Sequence, residues 1–312
     1  MAHTSVRFIK GHGTENDFIV LLDPAGELHL EPHHVQHLCH RRRGIGADGI
    51  LRAVRSAQHP DALPMAAEAE WFMDYWNPDG TVAAMCGNGI RLFARALAET
   101  GLAKLSPAGL PIATRAGIRH VHIPTTHPSD AAKITVDMGH ARLPGPDTVT
   151  VTANSCQWAA THVDMGNPHA VAFVTDLSEI GDLLTPPTVR PATAYPQGVT
   201  VEFVTRSSPG HLAMRVHERG AGETRSCGTG ACAAVIAALV CDGIDPYAPG
   251  HGIRYEVSVP GGQLQVTVLP NGGIELTGPA EITAEGTVAL EQPDQAGNGR
   301  RVPSSPLVDS VT

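Results

Sequence analysis

Two cysteines in this chain sit in the same short frame, one in each half. Met85-Cys86-Gly87-Asn88-Gly89 is followed by IRLFARAL, and Ser226-Cys227-Gly228-Thr229-Gly230 by ACAAVIAAL. Each reads as a cysteine on a glycine-rich turn that opens an apolar helix. The first N–H groups of a helix have no intrahelical partner, and the helix dipole is positive there. A thiol in that setting is expected to have a lowered pKa and to supply thiolate, its reactive form. Two such thiols facing one small pocket form a proton-transfer device. One takes a proton from carbon and the other returns one to the opposite face, which inverts the configuration. A carbon acid weak enough to need this help points to the α-carbon of an amino acid. Charge building on its α-carboxylate would be met by the backbone amides of Gly87, Asn88, Gly228 and Thr229. The remaining cysteines, Cys39, Cys156, Cys232 and Cys241, read as small packing residues.

The elements that must position these thiols are legible in outline. Strand-like alternation runs through Val6–Lys10 and Asp17–Leu22, and a helix is expected from Pro32 to Arg42. Trp71–Trp76 reads as a strand ended by the turn Asn77-Pro78-Asp79-Gly80, followed by the cysteine turn. A helix then runs from about Asn88 to Glu99 and closes near Gly101. The second half offers Gly166-Asn167-Pro168-His169 before an apolar run, then strands at Val199–Val204 and Leu212–His217. The turn from Glu218 to Gly222, the second cysteine turn and a helix to about Val240 follow, with later strands at 254–259, 263–268 and 273–277. Cys86 and Cys227 lie 141 positions apart, and so do Asn77 and Glu218, so each cysteine trails a strand-ending polar residue by nine positions. That shared offset predicts two related halves about a pseudo-twofold axis, with the ligand in the cleft between them. The polar Pro/Ser/Gly-rich stretch 293–312 reads as a disordered tail.

Composition narrows the function classes. The chain has 312 residues, 42% of them hydrophobic, and a formal net charge of −9, with no densely basic stretch. Nucleic acid and anionic membrane are therefore not expected partners. No window of ~18 apolar residues suggests a membrane span. The start MAHTSVRFIKGHG lacks the apolar core of a signal peptide, so a cytoplasmic protein with reduced thiols is expected. Lysine is confined to Lys10, Lys104 and Lys133, none in a phosphate-binding context, which argues against pyridoxal phosphate and for a cofactor-free reaction. Helical spacing could pair His33 with His37, but a solvated face explains them and no metal is expected. Gly44-Ile45-Gly46-Ala47-Asp48-Gly49 fits the dinucleotide fingerprint by spelling only, because Arg41-Arg42-Arg43 precedes it instead of an apolar strand.

Whole segments carry a more specific signal: GHGTENDFIV (11–20), RRRGIGADGIL (41–51), NPDGTVAAMCGNGIRLFARAL (77–97), MGNPHAVAF (165–173) and RVHERGAGETRSCGTGACAA (215–234). In these the chain resembles the diaminopimelate epimerases, cofactor-independent amino-acid epimerases with two cysteines in the site. The resemblance implies an α/β (α+β) fold of two pseudo-symmetric domains, each a curled mixed sheet around a central helix. It implies an N-terminal half over 1–130, completed by a strand near 277–290, and a second half over 131–276. It implies epimerisation of LL-diaminopimelate to the meso form, for lysine and peptidoglycan precursor synthesis, with a homodimer as the common habit. Cys86 and Cys227 match the acid–base pair, and Gly87, Asn88, Gly228 and Thr229 the α-carboxylate cradle. Asn16, Asn77, Asn167, Glu218 and Arg219 match residues that hold the two amino-acid ends of the substrate, and His169 a histidine beside the site. One departure stands out: Thr200 occupies a position where the family usually has an Asn that binds the distal end. Trp76 and Pro78 flank Asn77 in an unusual way, and both are expected to reshape the distal pocket. The alternatives kept open are racemisation of another amino acid and, from a different class, a thiol redox or metal-binding protein.

Overall fold

The computed structural model describes residues 2–124, 133–144 and 149–292. The polar tail expected at 293–312 and the expected half-boundary near 130 lie outside them. The first half contains β1 (Ala2–Gly13), β2 (Asn16–Leu22), α1 (Pro32–Cys39), β3 (Gly49–Arg55), β4 (Trp71–Trp76), α2 (Gly87–Glu99), β5 (Leu110–Thr114) and β6 (Gly117–His122). The second contains β7 (Ile134–His140), β8 (Val149–Ala153), β9 (Cys156–Asp164), β10 (Pro168–Phe173), β11 (Thr188–Arg190), β12 (Thr200–Ser208), β13 (His211–Glu218) and β14 (Gly222–Thr224). It continues through α3 (Gly228–Cys241), β15 (Ile253–Val259), β16 (Gly262–Val268) and β17 (Gly273–Gly278). The last strand, β18 (Glu281–Gln292), returns to pair antiparallel with β1 along most of its length.

The ladder pattern makes the internal symmetry explicit. From β1 to β6 the successive pairings are antiparallel, parallel, antiparallel, parallel, antiparallel. The series β9, β10, β12, β13, β15, β16 repeats the same sequence of directions. A parallel step needs a crossover, and in each half the second crossover carries the buried helix: α2 between β4 and β5, α3 between β13 and β15. Both helices lie in one continuous core shared by the halves. Their sequences account for this. In α3 the stretch Ala231–Leu239 is apolar on every side and fully enclosed, as a helix without a polar face must be. In α2, Arg95 and Glu99 pair at 2.7 Å on the face that reaches the surface. The two sheets join where β6 pairs with β7 and β7 with β17. No helix among the described residues is long and apolar enough to cross a membrane.

Two local expectations are corrected. The helix from Pro32 stops at Cys39 instead of Arg42, because His40 is extended and the chain folds back over the helix end. Gly46 N–H then donates to Leu38 O at 2.9 Å, and a Cβ on Gly44 would lie 2.0 Å from His37 O, so only glycine fits this reversal. Trp76 points away from the cleft and packs on a separate cluster with Val6, Leu28, Val35 and Leu290. Strand alternation is the reason: Tyr75 takes the cleft face and its neighbour the opposite one.

Candidate active site

Each cysteine occupies the N-cap of a central helix. Cys86 (φ −140°, ψ 122°) precedes α2 and Cys227 (φ −127°, ψ 114°) precedes α3. The sulfurs do what a capping oxygen does, accepting an N–H three residues on: Gly89 at 3.4 Å and Gly230 at 3.3 Å. The two helices meet end to end. A Cβ on Gly228 would lie 3.3 Å from Gly87 Cα and 2.9 Å from Leu276 Cδ2, and a Cβ on Gly87 would meet the same Leu276 carbon at 2.9 Å. Leu276 is a buried wedge between the helix tips, and the glycines let the tips close on it.

A cleft of about 370 Å³ opens at this junction. Asn16, Asn77, Cys86, Gly87 and Asn88 line it from the first half, and Asn167, Glu218, Arg219, Cys227, Gly228 and Thr229 from the second. Tyr75, Val82–Met85, Ala116, Arg119, Met165, Gly166 and Ser226 complete the wall, and sequence reading did not single these out. Thr200 and His169 do not line it. Thr200 is buried behind the wall, where its hydroxyl accepts the Arg219 N–H at 3.3 Å, and it neighbours His169 across the parallel β10–β12 pair. Pro78 and Trp76 are also absent from the wall, so the expectation that they reshape the cleft directly is not met.

A hydrogen-bond network crosses between the halves beneath the cleft. The β1–β2 turn, with Thr14 and Glu15 at positive φ, reaches into the second half. There Thr14 Oγ1 lies 2.7 Å from Ser226 Oγ, and Arg225 Nε donates to Glu15 at 2.6 Å. Asn88 Nδ2 donates to Ser226 O at 3.2 Å and to Asn16 Oδ1 at 3.3 Å, which fixes the amide that opens α2. Asn16 in turn donates to Asp48 at 2.9 Å, so the GIGADG segment supports the site from outside. Behind this stands Arg91, fully buried with no carboxylate partner among the described residues, donating to Gly87 O and Asn88 Oδ1 at 3.0 Å and to Pro279 O at 3.2 Å. The only charge in the first two turns of α2 was its available sequence signal.

The thiols correct one expectation. Burial, with the Glu218 charge adding to it, pushes Cys86 up to about 11 against the pull of the Gly89 and Asn88 amides. Burial raises Cys227 well above the ordinary thiol range, with the Glu218 and Glu202 charges adding to it. Desolvation therefore outweighs the helix N-terminus at both sulfurs. Burial also raises the Glu218 carboxyl, while Thr224 and the Cys227 thiol donate to it and pull it back. The two sulfurs thus differ in surroundings. The Cys86 thiol faces Asn16 Oδ1 at 3.6 Å and has the Arg91 cation behind it, whereas Cys227 faces carboxylates. In the layer behind Cys227, His169 Nδ1 and Glu202 Oε1 lie 2.6 Å apart with no solvent exposure.

Outside the cleft, His33 contacts Glu31 at 3.1 Å, and Glu31, His33 and His34 bring donor atoms within 4.8 Å of one another. This grouping forms around the start of α1 and not through the His33–His37 helical spacing.

The sequence model of the family described as diaminopimelate epimerase matches residues 8–144 and 161–283. The chain is 56% identical over 283 residues to the diaminopimelate epimerase of Streptomyces coelicolor, covering 91% of this chain and 95% of that protein. It is 47% identical over 289 residues to the enzyme of the same description from Thermobifida fusca, covering 91% and 98%. Among solved structures, a hydroxyproline epimerase from Agrobacterium vitis with bound trans-4-hydroxy-L-proline superposes with a TM-score of 0.64 at 16% identity, over 93% of this chain and 94% of that one.

Proposed function

The chain belongs to the diaminopimelate epimerase family, and we propose that Cys86 and Cys227 perform its reaction as opposed base and acid. The protein is an isomerase that converts LL-diaminopimelate to the meso form, a step towards lysine and peptidoglycan precursors. The observation that carries the two-thiol reading is the meeting of the two cysteine-capped helices at one cleft, with Gly87 against Gly228. In the forward direction the α-C–H bond breaks as an S–H bond forms on one sulfur. The electron pair stays on the α-carbon and spreads into the α-carboxylate, which lies between the two helix N-termini. The S–H bond of the other cysteine then breaks to form the new C–H bond on the opposite face. No proton is gained overall, and the sulfurs end with their protonation exchanged.

The surroundings make Cys86 the more readily ionised of the two thiols and Cys227 the one that stays protonated. Arg91 and two amides favour charge on the first sulfur; Glu218 disfavours charge on both, and at the second, whose thiol it accepts from, Glu202 adds to the effect. With Cys86 near 11, forming the thiolate at neutral pH costs about 5 kcal/mol. The substrate's α-ammonium, drawn into a cleft shielded from water, would offset part of that cost. Asn77, Asn167 and Arg219 line the cleft beyond the thiols and are assigned to the distal amino-acid end. Thr200 serves that end indirectly, by holding the backbone of Arg219. His169 and Glu202 buttress the Cys227 side. We take the two halves as 1–130 with the returning strand, and 131–276; the β1–β18 pairing supports that division.

The test is α-proton exchange in deuterated water. Without added cofactor, LL-diaminopimelate should yield meso product that carries deuterium at the inverted carbon, and Cys86→Ala and Cys227→Ala should each stop epimerisation. Full epimerisation in either variant would sink the two-thiol reading. Exchange with another amino acid but not with diaminopimelate would move the substrate assignment.

A further inference from the structure

Arg119 enters the cleft wall from β6, a strand on which sequence reading placed no function. Val121, two residues on, is fully enclosed in the main core, so strand alternation turns Arg119 inward as well. Its guanidinium is half-buried yet poorly matched. Nη1 donates to Ile118 O at 3.2 Å, and Nε is buried with no hydrogen-bond partner among the described residues. Other enclosed arginines are matched: Arg52 by Asp23 at 2.6 Å, Arg115 by Asp74 at 2.7 Å, and Arg91 by the Gly87 and Asn88 oxygens at 3.0 Å. Among the described residues no carboxylate comes within ion-pair distance of Arg119, and Asp137 acts on it only from farther away. A planar fork with free donors, held in a cleft, suits a carboxylate.

We propose that Arg119 binds the distal carboxylate of the substrate, opposite Arg219, so that a dicarboxylate ties the two halves together. This rests on the reading of the cleft as a diaminopimelate site. The α-carboxylate is already provided for by the helix N-termini at Gly87 and Gly228. The second carboxylate then meets one guanidinium from each half, since Arg219 comes from the end of β13 and donates only weakly, to Gln197 O at 3.5 Å. Glu218 is not available to satisfy either arginine in its place, being engaged by Thr224 and Cys227. A diacid thus draws the walls together over the thiols, and an amino acid lacking that group leaves both guanidiniums unmatched. Arg119 is on this account a determinant of substrate class, acting through binding and not through proton transfer.

Arg119→Met keeps chain length and removes the charge. The ligands are meso-diaminopimelate, 2-aminopimelate, which keeps the distal carboxylate, and L-lysine, which lacks it. The variant should weaken both dicarboxylates about tenfold or more and leave lysine within about twofold, with kcat at saturation within about threefold. Arg119→Lys should restore part of the loss. Unchanged KM for diaminopimelate overturns the proposal, as does an equal loss for lysine and the dicarboxylates, or a fall in kcat with KM unchanged. If lysine binds the wild-type protein too weakly to measure, the two dicarboxylates decide. A melting temperature within a few degrees of wild type excludes misfolding, and the Lys variant carries the test if the Met variant fails that check. Failure of the wild-type protein to exchange diaminopimelate would instead count against the functional reading itself.

Discussion

Gly228→Ala adds one methyl group at the junction of the two helix tips. Its backbone is ordinary helix, so conformational strain is not the issue, and a helical Gly→Ala change would by itself stabilise by up to about 1 kcal/mol. Space decides the outcome. The new Cβ would stand 2.9 Å from Leu276 Cδ2, 3.3 Å from Gly87 Cα and 3.4 Å from Asn88 Oδ1. Leu276 is fully enclosed and the other two atoms belong to the opposing helix, so no flexible side-chain end can yield. The helix tips must part by several tenths of an ångström. Overpacking of this kind costs about 1–3 kcal/mol, a net loss after the helical gain. It also moves one sulfur relative to the other across the substrate, where a misplacement approaching 1 Å can cost about a hundredfold in rate. We expect a lower melting temperature and a fall of at least about tenfold in kcat. Gly89→Ala, in the opposing helix, is the control: its Cβ meets Cys86 Cβ and Leu51 at 3.4 Å, ordinary contact. That variant should keep its stability and most of its activity. Calorimetry and a coupled epimerase assay on both proteins read the result. Equal behaviour of the two variants would refute the claim that contact between the helix tips sets the spacing of the thiols.

The remaining expectations follow from the thiols and the layer behind the wall. Because burial holds Cys86 up to about 11, its thiolate fraction rises with pH throughout the range below that value. Alkylation by iodoacetamide in the absence of substrate should therefore keep climbing, about tenfold per pH unit, well past pH 9. A plateau near pH 8 would mean that the helix N-terminus wins over burial. Thr200→Val removes the acceptor for the Arg219 N–H while nearly preserving shape. It should cost about 1–2 kcal/mol of stability and raise KM severalfold with kcat little changed, as melting and steady-state kinetics would show. No change in KM would separate Thr200 from the distal end altogether.

The cysteine frame was legible because its signal is local. A capping residue, two glycines and an apolar helix are contiguous, and their repetition at a fixed offset exposed the two halves. The α2 and α3 spans and the Trp71–Trp76 strand were readable for the same reason, whereas the returning final strand was implied by the family resemblance alone. The sign of the thiol shift was not, since a helix N-terminus is written in the sequence but the depth of its burial is set by the partner half. Trp76 illustrates the limit in another way: proximity to Asn77 in the chain suggested a role in the cleft, and strand alternation sent its ring to the opposite face. Thr200 bonds the Arg219 backbone, a contact nineteen residues away in sequence. Arg119 and Ser226 reach the cleft through strand pairing and a cross-half network, neither of which any local motif records.

The central claim is that two different sulfurs serve the two faces of one α-carbon. The most direct test follows the isotope through the first turnovers of unlabelled LL-diaminopimelate in deuterated water. The account predicts that newly formed meso product carries solvent deuterium at the inverted carbon while the remaining LL substrate stays almost unlabelled. Product that retains the original proton, or substrate that gains deuterium as fast as product forms, would show a single base working both faces and would contradict the account.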